Sequence, residues 1–219
     1  MNAFRCRGSL LAGLIFLGGC AHIPGVDPAR TGPFFTPQNV QRSARLPAEV
    51  RRVLVLPAAC EVALADNQLM KLDEIIRQSL SQKGRFEVTP LSREACARYT
   101  GSRAINSTAA LPHDFLTRLA TDYAVDAVLF VDITAYSPYP PLTIGLRTKL
   151  ARTSDQGLLW AFDNTFSTSD PTVVNAARRY WLKTAPGNAP ADFSNTVLEN
   201  PARFTTYATS AAFDTLPAR

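Results

Sequence analysis

Seven consecutive residues, Ala127-Val128-Leu129-Phe130-Val131-Asp132-Ile133, set the strongest limit on the fold of this chain. Six are apolar and three of those are β-branched. A strand apolar at nearly every position has no wet face, so it must run inside a sheet covered on both sides. Such a sheet needs helices above and below it. The 219 residues are 46% hydrophobic, enough to supply one sizeable core.

The flanking pattern fills in the layers. Val53 to Leu56 is a short apolar run stopped by Pro57 and reads as a buried strand. A helix is expected over 67–83, where Leu69, Leu72, Ile75, Ile76 and Leu80 share a face and Gly84 supplies a C-terminal stop. Arg85 to Thr89 alternates as a second strand. Ser92 caps a short helix over 93–100, and Pro112 opens another with Phe115, Leu116, Leu119 and Tyr123 as its stripe. After the central run, Ser137-Pro138-Tyr139-Pro140-Pro141 forces a turn. Leu142, Ile144, Leu146 and Leu150 then alternate with Thr143, Gly145, Arg147 and Lys149, giving a strand with one buried and one wet face. Leu158 to Thr168 is a fifth strand. Asp170-Pro171 and Asn200-Pro201 each carry a cap followed by a first-turn proline, so each starts a helix. The expected order is β-α-β-α-α-β-β-β-α-α. This is an α/β (α+β-like) domain with a mixed five-stranded sheet, a parallel opening crossover and an antiparallel meander at its end.

The N-terminus carries a different signal. Arg5 and Arg7 precede an apolar run, Leu10 to Leu17, too short to span a bilayer. It ends in Leu17-Gly18-Gly19-Cys20, which closely resembles the lipobox of bacterial lipoproteins. The resemblance implies a signal peptide over 1–19, cleavage before Cys20, and acylation of Cys20 by fatty chains such as palmitate. Ala21, in place of an aspartate, implies the outer membrane and its periplasmic face. Residues 20–49 read as an acylated tether punctuated by Pro24, Pro28, Pro33, Pro37 and Pro47, with a reach of roughly 90 Å if fully extended as polyproline and nearer 30 Å as a coil. The main domain is placed at 50–186 and a C-terminal extension with a helix at 187–219. Cys60 and Cys96 remain after processing. An exported setting makes a disulfide between them one reading, with two separate buried thiols as the other.

The helix before Gly84-Arg85-Phe86-Glu87-Val88, the run Tyr123 to Ile133, and the turn Ser154-Asp155-Gln156-Gly157 before Leu158-Leu159-Trp160 together look like one group. It is the α/β domain shared by curli-secretion lipoproteins, lipoprotein activators of peptidoglycan synthases, and the N-terminal domain of TolB. The resemblance spans about residues 51–184. It implies a role in envelope assembly or regulation through protein contact and supplies no catalytic residues.

Chemistry elsewhere in the chain is sparse. The histidines are His22 in the tether and His113 at a helix start. Gly-x-Ser-x-Gly, a phosphate-binding glycine loop and Cys-x-x-Cys are all absent from the sequence, and no ligand spacing suggests a metal or cofactor. Asp126 and Asp132 bracket the central strand about 20 Å apart along its length, too far for joint acid–base work. The formal charge of +5 falls to about +3 once Arg5 and Arg7 leave with the signal. It is also scattered, which argues against nucleic acid. Tyr136, Pro138 and Tyr139 form a stiff, amphipathic turn of the kind that anchors interfaces. Arg178-Arg179-Tyr180-Trp181 reads as a helix with a core aromatic and a solvated basic face. The leading expectation is a membrane-anchored lipoprotein working through envelope proteins, with homo-oligomerisation open. A binder of small ligands or envelope polymers is the alternative, and an enzyme of unknown class comes third.

Overall fold

The computed structural model describes residues 27–184, 190 and 192–219. The signal, the lipobox, Cys20 and His22 lie outside the described residues. Seven strands form one sheet: β1 (Val40–Arg42), β2 (Arg52–Val55), β3 (Ala59–Cys60), β4 (Glu87–Pro90), β5 (Ala127–Ser137), β6 (Thr143–Arg152) and β7 (Leu158–Ser167). The helices are α1 (Pro28–Thr31), α2 (Asp66–Ser81), α3 (Arg93–Thr100), α4 (Phe115–Tyr123), α5 (Pro171–Thr184) and α6 (Pro201–Asp214), with a 3-10 turn over Phe193–Leu198. The sheet therefore has seven strands rather than five. The element order differs from the expected one by the addition of α1, β1, β3 and the 3-10 turn. The missed strands are two and three residues long, too short to carry a period of their own.

The strand order is β1-β7-β6-β5-β2-β4, with β3 pairing separately with β5. β2 runs parallel to β4 and β5, while β5, β6 and β7 form an antiparallel meander. The chain moves outward from β2 to β4 and then returns across β2 to β5. Crossovers of one hand then require helices on opposite faces for the two moves. Accordingly, α2 packs on one face through Leu72, Ile76 and Leu80, and α3 and α4 pack on the other through Ala95, Cys96, Phe115 and Leu119.

β5 divides its side chains between these two cores. Ala127, Leu129, Val131 and Ile133 enter the larger, Val128 and Phe130 the smaller, and none of the six is more than 4% exposed. On β6 the alternation is as expected, with Ile144, Leu146 and Leu150 in the larger core.

Two boundaries read from the sequence do not separate packing units. The proline-rich segment from Asp27 onward is not a free tether. Asp27 caps α1, Phe35 packs on Phe166 with ring centroids 5.1 Å apart, and β1 adds to the β7 edge in the register Val40↔Phe162 to Arg42↔Trp160. The C-terminal helix is no extension either. α6 buries Phe204, Tyr207, Ala208, Ala212 and Phe213 in the larger core, against α2.

Candidate functional site

The β5–β6 hairpin carries the predicted contact residues. β5 has 11 residues against 4 each in β2 and β4, so its end runs beyond them into the turn. A register shift between Ile133 and Ala135 turns the strand there. Gly145, opposite Ala135, makes that bend feasible: a Cβ on it would overlap Thr134 Oγ1 and stand 3.0 Å from the Ala135 amide nitrogen. The turn is pinned by Ser137 Oγ, which donates to the Tyr139 carbonyl at 2.9 Å, and by Thr143 Oγ1, which donates to the Pro141 carbonyl at 3.2 Å.

Tyr136, Pro138 and Tyr139 end in different places. Tyr136 lies against the larger core, and burial pushes its phenol pKa up. With Pro138 it lines a groove of about 260 Å³ shared with Lys71, Leu72 and Ile75 of α2 and with Pro201 and Thr205 of α6. Tyr139 stands at the tip, 77% exposed. A groove of this size is below the usual range for a drug-sized ligand. It suits a side chain or short loop of another protein beside an exposed aromatic ring.

A second cleft opens beyond the ends of β2 and β4, where open α/β sheets often hold ligands. Its cations already have partners. Arg93, 8% exposed, donates to both oxygens of Asp73 at 2.9 and 3.0 Å and to the Ala58 carbonyl at 3.1 Å. Arg77 grips Glu74 in two hydrogen bonds, holding that carboxyl at about 2. Asp73 also accepts the Ala58 amide at 2.8 Å, so this constellation fixes α2 and α3 to the end of β2.

The remaining sequence candidates serve the fold. Asp126 accepts the Arg51 and Arg52 amides at 2.9 and 2.8 Å, holding the start of β2 beside β5. Asp132 is wholly buried. It accepts the Ser107 amide at 2.9 Å and the Ser107 hydroxyl at 2.6 Å, and Lys149 Nζ donates to the Ser107 carbonyl. Burial pushes the Asp132 pKa up despite these donors. Arg147 on the wet face of β6 gathers Glu61 and Asp163 at 2.9 and 3.0 Å. Sequence reading missed this network; the one available sign was an aspartate inside an apolar strand. The His113 side chain is 95% exposed, with Asp114 as its acidic neighbour at 3.3 Å, so no base geometry surrounds it.

Cys60 and Cys96 are free thiols, not a disulfide. Cys60 ends β3, just past β2, and Cys96 lies in α3, just past β4, at one end of the sheet. However, Cys60 packs toward the larger core and Cys96 lies in the smaller, so the sheet stands between them. Burial pushes both thiols up. Among the described residues, no cluster of histidine, cysteine or carboxylate side chains could hold a metal, and no helix is long and apolar enough to cross a membrane.

The Arg178-Arg179-Tyr180-Trp181 stretch also differs from expectation. Arg178 chelates Asp27 at 2.9 and 3.0 Å, and the Arg179 guanidinium sits 4.2 Å from the Phe34 ring centre. Both arginines are thus engaged by the N-terminal segment. Tyr180 and Trp181 both pack against the larger core.

The solved structures that the chain resembles at low identity include a lipoprotein and TolB, the group that its order of elements suggested. Among solved structures it resembles the PelC dodecamer from Paraburkholderia phytofirmans at 13% identity and a TM-score of 0.50, over 82% of this chain and 98% of that one. Lipoprotein GNA1162 from Neisseria meningitidis matches at 17% identity and a TM-score of 0.43, over 62% and 94% of the two chains. TolB from Acinetobacter baumannii matches at 13% identity and a TM-score of 0.32, over 71% and 33%. No protein-family model matches the chain, and no curated protein matches it by sequence.

Proposed function

We propose that this protein is a lipoprotein anchored through acylated Cys20 to the periplasmic face of the outer membrane, and that it works without catalysis, by protein contact in cell-envelope assembly or regulation. The observation that carries the contact reading is Tyr139, 77% exposed on a pinned, proline-stiffened turn beside the groove of Tyr136 and Pro138. A rigid aromatic costs little entropy to bury, and such residues dominate interface energetics. The similarity in fold to PelC, which is a dodecamer, supports the same reading.

The test is a photo-crosslinking amino acid in place of Tyr139 in living cells. A specific protein adduct is the expected result. Tyr139→Ala should lower recovery of that partner at least tenfold, in line with loss of an aromatic anchor worth about 2 kcal/mol, without changing thermal stability. A glycan or lipid adduct at the same position would overturn the contact reading in favour of a small-ligand or envelope-polymer binder. Loss of the cellular function on His113→Ala, with folding intact, would revive an enzyme.

A further inference from the structure

The segment after Cys20 joins the folded body much earlier than its prolines suggest. Asp27 accepts the Ala29 amide at 3.0 Å and is chelated by Arg178, and the Pro33 carbonyl accepts Asn175 Nδ2 at 3.0 Å. The Phe35 amide donates to the Thr172 carbonyl at 3.1 Å, and Phe34 and Phe35 are held by Arg179 and Phe166. Asp27 is therefore part of the folded body, and seven peptide units separate it from Cys20. Fully extended, these span at most about 25 Å.

The surface around that starting point is basic. Arg30 in the last turn of α1 is exposed, and Arg178, Arg179 and Lys183 line the C-terminal half of α5. Asp27 pairs with Arg178. Asp214, across the neighbouring groove, is taken by Lys83 at 2.6 Å. Among the described residues no ion pair engages Arg30, Arg179 or Lys183, so this face keeps a net positive charge close to Cys20.

We propose that this α1–α5 face lies against the bilayer and takes anionic phospholipid headgroups, so that the domain rests on the membrane instead of standing off from it. The proposal rests on acylation of Cys20, which fixes the distance, while the charge fixes the orientation. Each Lys or Arg held near an anionic surface strengthens attachment roughly fivefold.

The experiment uses the full-length protein, purified with its native processing and reconstituted in vesicles of phosphatidylcholine with or without a quarter phosphatidylglycerol. A photo-crosslinking residue replaces Thr184 at the end of α5 or, as a control, exposed Thr121 on α4 across the sheet. Phospholipid adducts are expected at position 184 and not at 121, with a higher yield when phosphatidylglycerol is present. Arg30→Glu combined with Lys183→Glu touches two exposed side chains and should cut that yield about tenfold while leaving vesicle attachment unchanged. Equal yields at 184 and 121, or an adduct to a second protein at 184, would overturn the proposal. Intact mass separates the two levels: an acylated chain without lipid adducts refutes the orientation alone, whereas a chain lacking the acyl mass removes the anchor and the proposal together.

Discussion

Asp27 carries two roles at once. Its carboxylate accepts the first free amide of α1 and neutralises Arg178, so its pKa lies below the ordinary 3.8, with the Ala29 amide as the largest cause. A carboxyl held down in the folded state adds stability above its unfolded value, and that share disappears as pH falls through the folded one. Hydrogen-exchange protection at Ala29 should therefore fall as the pH drops below 3.8, while β5 amides keep theirs. Asp27→Asn retains a capping side chain and should remove this pH step. Asp27→Ala should cost about 1 kcal/mol in denaturant unfolding, the usual loss for a missing cap. Gly145 is a second sensitive position: Gly145→Ala must push Thr134 and the β5 bend aside, an overpacking cost of about 1–3 kcal/mol. An unchanged midpoint would show that the hairpin yields freely at that point.

Elements with a long, clean pattern were legible before any coordinates. β5, β6, β7, α3 and α5 fall within a few residues of their expected ranges, because burial on two faces, burial on one face and cap–proline starts each leave a distinct mark in the residues. β1 and β3 leave none, since they are recruited by backbone hydrogen bonds to strands already formed. The proline-rich segment from Asp27 shows a related limit. Prolines show that a segment is extended and do not show whether it lies in solvent or along a surface; Phe34, Phe35 and Asp27 decide that through partners more than 120 residues away. At the candidate site the turn residues were visible, but the groove was not, because Tyr136 meets α2 and α6 only after the sheet has formed. The cysteines show the same limit: order along the chain indicates the end of the sheet and carries no information about its face.

At the scale of the whole molecule, α6 is the piece that closes the larger core. Phe213 is 1% exposed and packs on Trp160 with ring centroids 6.0 Å apart, while Trp160 Nε1 donates to Thr215 Oγ1 at 3.0 Å. Phe213→Ala should cost about 3–5 kcal/mol, enough to threaten a domain of ordinary stability. Trp160 emission should shift to longer wavelength as its pocket admits water; an unmoved spectrum with unchanged stability would mean that the helix is dispensable. The last residues extend the same closure. Leu46 N donates to the Ala218 carbonyl, and Arg219 reaches back to the carbonyls of Val50 and Arg85.

A core closed by α6 has a consequence for how the domain is made. Until residues 201–216 arrive, one side of the sheet presents Trp160, Phe162 and Phe166 without a lid. A chain emerging residue by residue therefore leaves this aromatic face uncovered until α6 is delivered, so the larger core is the later of the two to close.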